Sequence, residues 1–145
     1  MSGDHRDTAN YKKELLINSG FNQIRNSTLF SKGRNLVLSP AVAENQQGYF
    51  WFDVREAIIS QYKPDYHETF LVIVRVVPQR FLVFDFSELK KILTTTSKIE
   101  KTGKKVWSFV IENRFSKVTN KKSPRETISA NLAEEKEILS ILDSI

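Results

Sequence analysis

The stretch Tyr49-Phe50-Trp51-Phe52-Asp53-Val54-Arg55 is the part of this 145-residue chain from which the fold is most readily deduced. Aromatic and β-branched residues fit a pleated, half-buried surface, so residues 49–55 are predicted to form a β-strand. Side chains in a strand alternate between two faces. Phe50, Phe52 and Val54 therefore share a face that belongs to the core. The opposite face carries the other four side chains, Tyr49, Trp51, Asp53 and Arg55, and its acid and base form either a structural ion pair or a functional site.

Further strands are predicted on both sides of this stretch. Residues 28–30 and 35–38 fit a hairpin with a turn at Gly33. Residues 70–77 are almost continuously apolar, as in a central strand buried on both faces, and residues 80–86 are expected to return as its antiparallel partner. Residues 106–111 alternate with period two, with Trp107, Phe109 and Ile111 on one face. Residues 113–122 are predicted to be basic and irregular.

Helices are predicted between and around the strands. Residues 11–18 fit a short helix that docks through Leu15 and Leu16, and residues 56–61 fit one or two helical turns. Ser87 is a predicted N-cap for a third helix. Ser123-Pro124-Arg125-Glu126 combines a capping serine, proline at the first helical position and glutamate three residues after the cap, so a helix is predicted over about 124–145. Its apolar arc is expected to close over the sheet or to meet a partner.

Together these elements predict an α+β fold with one mixed, mostly antiparallel sheet flanked by helices. The length fits one domain, here 9–145, with residues 1–8 as a disordered leader. With no cysteine, disulfides and thiolate sites are excluded. Residues 1–10 lack the apolar core of a secretory signal, and no apolar run approaches the roughly 20 residues that span a bilayer. A cytoplasmic protein without membrane contact is the default expectation.

The net charge of +5 is unevenly distributed. Residues 1–97 carry +2, residues 98–125 carry +7 and residues 126–145 carry −4. A basic segment of this kind is typical of a surface that faces a polyanion, or of a solvated lysine-rich loop. The candidate phosphate-binding residues are Lys98, Lys101, Lys104, Lys105, Lys117, Lys121 and Lys122. If residues 106–111 form a strand, its two flanking lysine groups lie roughly 20 Å apart and form one footprint only if both loops curl to one face.

Several kinds of chemistry are disfavoured by the sequence. The chain has two histidines: His5 lies in the predicted leader, and His67 is expected to be a solvated or hydrogen-bonded loop residue. The five glycines are scattered singly, and neither GxGxxG nor the P-loop pattern is present. Trp51 and Trp107 are able to stack on bases, although burial in the core is the alternative for both.

The Asp53-Val54-Arg55 pattern, with the strands 70–77 and 80–86 and a helix after it, resembles the restriction-endonuclease-like superfamily, the PD-(D/E)XK nucleases. The resemblance implies that carboxylates hold Mg²⁺ and that a basic residue stabilises charge on the phosphate. It makes Asp53 and Arg55 catalytic candidates, with Glu44 or Glu14 as further acids. Two departures are that the preceding strand offers Asn35 in place of an aspartate and that Arg55 replaces lysine. The resemblance therefore implies a non-catalytic relative, for which no cofactor is expected.

Three functions remain open at this point. The leading one is a nucleic-acid-binding module, with DNA as the expected partner. The second is a Mg²⁺-dependent nuclease that uses Asp53, Glu44 or Glu14, and Arg55. The third is a protein-interaction module that forms a homodimer, or docks on a partner protein, through the C-terminal helix.

Overall fold

The structure is a computed structural model that describes residues 13–25, 27–44, 50–77, 80–112 and 116–145. Its helices are α1 (13–18), α2 (Glu56–Ile59), α3 (Phe86–Lys90) and α4 (Glu135–Asp143). Its strands are β1 (Asn22–Gln23), β2 (Leu29–Lys32), β3 (Asn35–Leu38), β4 (Ala43–Glu44), β5 (Phe50–Arg55), β6 (Thr69–Val77), β7 (Arg80–Asp85), β8 (Lys98–Ile99), β9 (Lys105–Glu112), β10 (Lys117–Asn120), β11 (Ser123–Ser129) and β12 (Asn131–Glu134). The predicted leader, 1–8, lies outside the described residues.

The α+β class is confirmed, but the expectation of a single sheet is wrong, because the strands form two sheets. Sheet A has the order β1-β2-β3-β6-β7-β12, in which only the β3–β6 pair is parallel. Sheet B has the order β11-β10-β9-β5-β4, with β8 also paired to β9, and is antiparallel throughout. The chain passes from sheet A to sheet B after β3, returns at β6, and crosses again after β7 and after β11.

The main core lies between the two sheets. Phe52 and Val54 of β5 face it, as predicted, together with Phe109 of β9. The rings of Phe52 and Phe109 are paired across the strands with centroids 5.3 Å apart. From sheet A, alternate residues such as Val72 and Val74 of β6 fill the same layer. The strictly alternating strands thus pack their apolar face onto sheet A, which explains why they form a second sheet.

The second face of sheet A is covered by α1 and α4. Leu15 and Leu16 of α1 dock there, as predicted, and Ile138 and Leu142 of α4 are fully buried in the same cluster. Ile73, which alternates with the residues facing sheet B, belongs to this cluster. The prediction that β6 is central and buried on both faces is confirmed. The layers are therefore helices, sheet A and sheet B, in that order.

Other local predictions are confirmed. The hairpin β2–β3 turns at Gly33, whose φ of 60° is in the left-handed region that favours glycine. The turn of α2 follows β5 directly, and β7 pairs antiparallel with β6. The predicted faces of β9 are also observed, with Trp107, Phe109 and Ile111 in the main core. Among the described residues, no helix is long and apolar enough to cross a membrane.

The predicted helix over 124–145 is wrong in its first half. Residues 123–134 form β11 and β12, and α4 begins only at Glu135, where Glu134 and Glu137 make a capping box. The hydroxyl of Ser123 lies 2.6 Å from that of Thr95. Pairing with β10 satisfies the backbone of β11 that the predicted helix would have satisfied internally.

Two smaller predictions are also corrected. The N-cap of α3 is Asp85, whose carboxylate accepts a hydrogen bond from the Ser87 amide at 3.0 Å, so Ser87 lies inside the helix. Within the predicted irregular segment 113–122, residues 117–120 form β10, which pairs with β9 on one side and β11 on the other. Residues 113–115 are outside the described part of the chain.

Candidate nucleic-acid interface

Asp53 and Arg55 lie on the outer face of sheet B, the face turned away from the main core. Asp53 pairs in register with Ser108 of β9, whose hydroxyl donates a hydrogen bond to Asp53 Oδ1 at 2.5 Å. Arg55 Nε lies 3.6 Å from Glu100 Oε1, and the Arg55 side chain is 67% exposed. The acid and the base that the sequence placed side by side thus each have a different partner. The Arg55–Glu100 contact links the end of β5 to the β8–β9 connection.

The acids considered as metal ligands are not brought together. Glu44 pairs with Phe50, so its side chain lies on the opposite face of sheet B from Asp53. Glu14 belongs to α1, which packs on the far face of sheet A. Within the described ranges, no three His, Asp or Glu side chains are grouped so that they are able to hold a metal ion. The Asp53 carboxylate instead accepts a hydrogen bond from Ser108.

Six of the seven lysines singled out from the sequence lie at one end of sheet B. Lys98 and Ile99 form β8, which pairs with the start of β9, and Lys101 and Lys104 lie in the intervening turn. Because β10 runs back antiparallel to β9, its far end returns to the same place: Asn120 pairs with Phe109, and the Lys121 amide donates to Ser108 O at 2.9 Å. Lys121 is therefore about 10 Å along β9 from Lys105. We call this group the basic end: Lys98, Lys101, Lys104, Lys105, Lys121 and Lys122.

The seventh lysine, Lys117, does not belong to the basic end. It pairs with Glu112 at the opposite end of β9, about 13 Å farther along the strand from Ser108. The acidic helix α4 is also remote, since it lies across sheet A from sheet B. The basic segment of the sequence and its acidic C-terminal helix therefore also lie in different parts of the fold.

A buried asparagine joins the two lysine-bearing segments. Asn120 is 0% exposed, and its Nδ2 donates to Ile92 O at 2.9 Å and to Thr95 O at 3.1 Å in the connection that leads to β8. Its Oδ1 accepts hydrogen bonds from the amides of Lys122 and Ser123 in the β10–β11 turn. The connection before β8 and the turn carrying Lys121 and Lys122 are thus fixed to one side chain. We call these hydrogen bonds of the Asn120 side chain to Ile92, Thr95, Lys122 and Ser123 the Asn120 bracket. They position the β8–β9 lysines and the Lys121–Lys122 turn relative to one another.

The two tryptophans have different environments. Trp107 is 8% exposed and faces the main core, so it has no surface available for stacking on a base. Trp51 is partly exposed on the outer face, opposite Val110. Lys121 Nζ lies 5.6 Å from the centroid of the Trp51 ring, within the range of a cation–π contact. Trp51 and the basic end are therefore connected through Lys121.

Sequence reasoning missed three residues of this interface. Ser108, Glu100 and Asn120 hold Asp53, Arg55 and the lysine turn respectively. An asparagine immediately before Lys121-Lys122-Ser123 is a signal for a turn in which the side chain accepts backbone hydrogen bonds, and this signal was available in the sequence. The partners of Asp53 and Arg55 depend on strand register, which no local signal supplies.

His67 is a hydrogen-bonded loop residue, as predicted. Its Nδ1 accepts a hydrogen bond from the Lys63 amide at 3.0 Å, and its ring contacts those of Tyr62 and Tyr66. It closes the loop before β6 and lies outside the interface.

Comparison with known proteins gives no match: no protein-family model, no curated protein and no solved structure is significantly similar to this chain. The function is therefore argued from the interface itself.

Proposed function

We propose that this protein binds nucleic acid, with DNA as the expected partner, through the basic end of sheet B. The observation that supports the proposal best is the antiparallel return of β10, which brings Lys121 and Lys122 beside the lysines of the β8–β9 hairpin. Phosphate groups are bound by clusters of lysines and arginines that neutralise several charges at once. Six lysines converging at one end of a sheet provide such a cluster.

The electrostatics of the basic end favour an anionic partner. All six lysines are exposed, and none of them forms an ion pair with a carboxylate of the described residues. Within residues 98–105 the one acid is Glu100, which is engaged by Arg55. The carboxylates of the described residues thus leave these cations uncompensated. Clustered like charges repel one another in the free protein, and a phosphate backbone relieves that repulsion by releasing its own counterions.

The proposal is one of binding without cleavage, by a protein located in the cytoplasm. Mg²⁺-dependent phosphodiester chemistry needs carboxylates that share a metal ion. In the described part of the chain, no group of three His, Asp or Glu side chains is placed to hold one, and Glu44 lies on the opposite face of sheet B from Asp53. A non-catalytic relative of the PD-(D/E)XK nucleases would fit this pattern. The role assigned to Asp53 and Arg55 is then to shape the surface next to the basic end.

The test is a fluorescence-anisotropy titration of labelled DNA at several salt concentrations between about 50 and 200 mM. The variant Lys101→Gln/Lys104→Gln/Lys105→Gln removes three charges from the basic end. Its matched control, Lys13→Gln/Lys63→Gln/Lys136→Gln, removes three exposed charges elsewhere. We expect the first variant to reduce the slope of log K against log salt by up to about 2.7 for duplex DNA, since each phosphate contact contributes about 0.9. The control is expected to keep the slope of the unmodified protein.

Two outcomes would contradict the proposal. Binding that is equally strong at both ends of the salt range would show that phosphates are not neutralised. Equal loss of slope in the two triple variants would show that net charge, and not the basic end, determines binding.

A further inference from the structure

We infer that the outer face of sheet B around Trp51 takes an unpaired base, so that the preferred ligand is single-stranded nucleic acid. We call this surface the Trp51 face; its exposed or partly exposed residues are Trp51, Asp53, Val110 and Lys121. The inference rests on the proposed function, because the basic end supplies the phosphate contacts that hold the strand. It adds the class of ligand and a second kind of contact.

The Trp51 face combines an aromatic ring with a positioned cation. Trp51 is held in β5 between Ala43 of β4 and Val110 of β9, and its side chain is partly exposed. Lys121 is anchored by its own amide on Ser108 O, and its Nζ lies over the Trp51 ring. Successive bases of a single strand stack on aromatic side chains while neighbouring cations contact the backbone. A base that stacks on this face of Trp51 takes the place of the ammonium, and the flexible Lys121 side chain is then within reach of the phosphate of that base.

The next row of the same face offers hydrogen-bonding groups. Asp53 is two residues from Trp51 on the same side of β5, about 7 Å away, and pairs with Ser108. Ser108 occupies Asp53 Oδ1, so that Oδ2 is the acceptor that an N–H group of the base, such as N3–H of thymine, would meet. Asp53 is partly exposed, as such a contact requires.

The nature of the aromatic contact selects single strands over duplex. In a duplex, the faces of the bases are covered by the neighbouring base pairs, and only an unstacked base offers a face to an aromatic side chain. A duplex would therefore contact the lysines of the basic end through its phosphates and would make no stacking contact with Trp51. The charge of the basic end, which continues from Lys121 along the start of β9, is complementary to the backbone of a strand that leaves Trp51 in that direction.

The experiment compares oligothymidylate with an abasic oligonucleotide of equal length, which keeps the phosphates and lacks the bases. The unmodified protein is expected to bind oligothymidylate at least about fivefold more tightly than the abasic strand, since stacking on one aromatic contributes about 1–3 kcal/mol. Trp51→Ala is expected to remove that difference without changing the salt slope, and Trp51→Phe to retain most of it. Tyr66→Ala, which removes an aromatic ring that is 50% exposed elsewhere, is the matched control and should bind as the unmodified protein does.

The outcomes separate this inference from the function on which it rests. Equal, salt-sensitive affinity of the unmodified protein for the two oligonucleotides would overturn the inference and leave the proposed function intact; this comparison needs no variant to fold. Affinity that is independent of salt for every nucleic acid would overturn both. A dimer that dissociates in Trp51→Phe and Trp51→Ala would show instead that a second copy of the chain covers the Trp51 face.

Discussion

Replacement of Asn120 by alanine is expected to destabilise the protein strongly, although the residue lies at the end of a four-residue strand. Asn120 is fully buried and makes two hydrogen bonds to carbonyl oxygens, of Ile92 and Thr95, and accepts two from backbone amides, of Lys122 and Ser123. All four bonds are lost in the variant, as is the longer bond from Nδ2 to Thr94 Oγ1 at 3.4 Å. The segments that they join are otherwise separated by more than twenty residues of sequence.

The magnitude follows from the number and burial of these bonds. A typical intramolecular hydrogen bond contributes about 0.5–1.5 kcal/mol net, and a buried group left without a partner costs about 1–3 kcal/mol. Several of the partner groups are only partly buried and regain water when Asn120 is removed. We therefore expect a loss of about 2–4 kcal/mol in the free energy of unfolding. For a domain of this size each kcal/mol lowers Tm by about 2–4 °C, which gives a decrease of roughly 4–16 °C.

The assay is equilibrium urea unfolding of Asn120→Ala beside Asn131→Ala, which removes the same side chain from an exposed position on the edge strand β12. The control is expected to change stability by less than about 0.5 kcal/mol. Amide hydrogen exchange gives a local readout, because the amides of Lys122 and Ser123 should lose protection in Asn120→Ala. A change below about 0.5 kcal/mol in the free energy of unfolding, with unchanged protection of the Lys122 and Ser123 amides, would show that the Asn120 side chain does not hold the two segments together.

Two further predictions concern α4 and Asp53. Leu142→Glu places a charge among fully buried side chains of α4 and sheet A and should unfold the domain. Leu139 is 38% exposed, so Leu139→Glu should lower the free energy of unfolding by less than about 1 kcal/mol. Urea unfolding of both variants tests this prediction, and a folded Leu142→Glu variant would refute it. Asp53→Asn keeps an acceptor for Ser108 and should leave DNA intact with and without Mg²⁺, as in the unmodified protein. Mg²⁺-dependent cleavage by the unmodified protein that is lost in Asp53→Asn would show that the nuclease alternative is correct.

The parts of the fold that the sequence predicted well are those where one local pattern determines the structure. The alternation of β5 and β9 places Phe52 and Phe109 in the core, and the almost continuous apolar run of β6, interrupted by Arg75, requires cover on both faces. The sorting of strands into two sheets was not predictable in this way. It depends on which apolar faces meet, and a sequence shows that a face must be covered without showing what covers it.

The error at the C-terminal helix shows how a strong local signal is overridden. Ser123-Pro124-Arg125-Glu126 has the composition of a helix start, yet residues 123–129 form a strand. Ile128 pairs with Val118, and both face the main core. Thr127 and Ser129 lie on the other face of sheet B, with their paired residues Thr119 and Lys117. The alternation of polar and apolar residues over 127–129 is typical of a strand, but three residues are too few to outweigh a helix-capping pattern in the sequence. Pairing with β10 determines the outcome, and β10 itself was not predicted.

The candidate interface depends on the same unpredicted strand. From the sequence, two lysine groups flank β9, and the distance between the ends of a strand counts against a common footprint. In the structure, β10 pairs antiparallel with β9, from Lys117 opposite Glu112 to Asn120 opposite Phe109. Lys121 and Lys122 therefore lie beside the lysines that precede β9, and Lys117 lies at the opposite end of β9. The composition of residues 98–125 is compatible with either a solvated loop or a binding surface. The register of one four-residue strand brings most of its lysines together, which is the arrangement that the proposed binding surface requires. A basic segment becomes an argument for nucleic-acid binding only when its charges are shown to converge, and in this protein β10 and the Asn120 bracket make them converge.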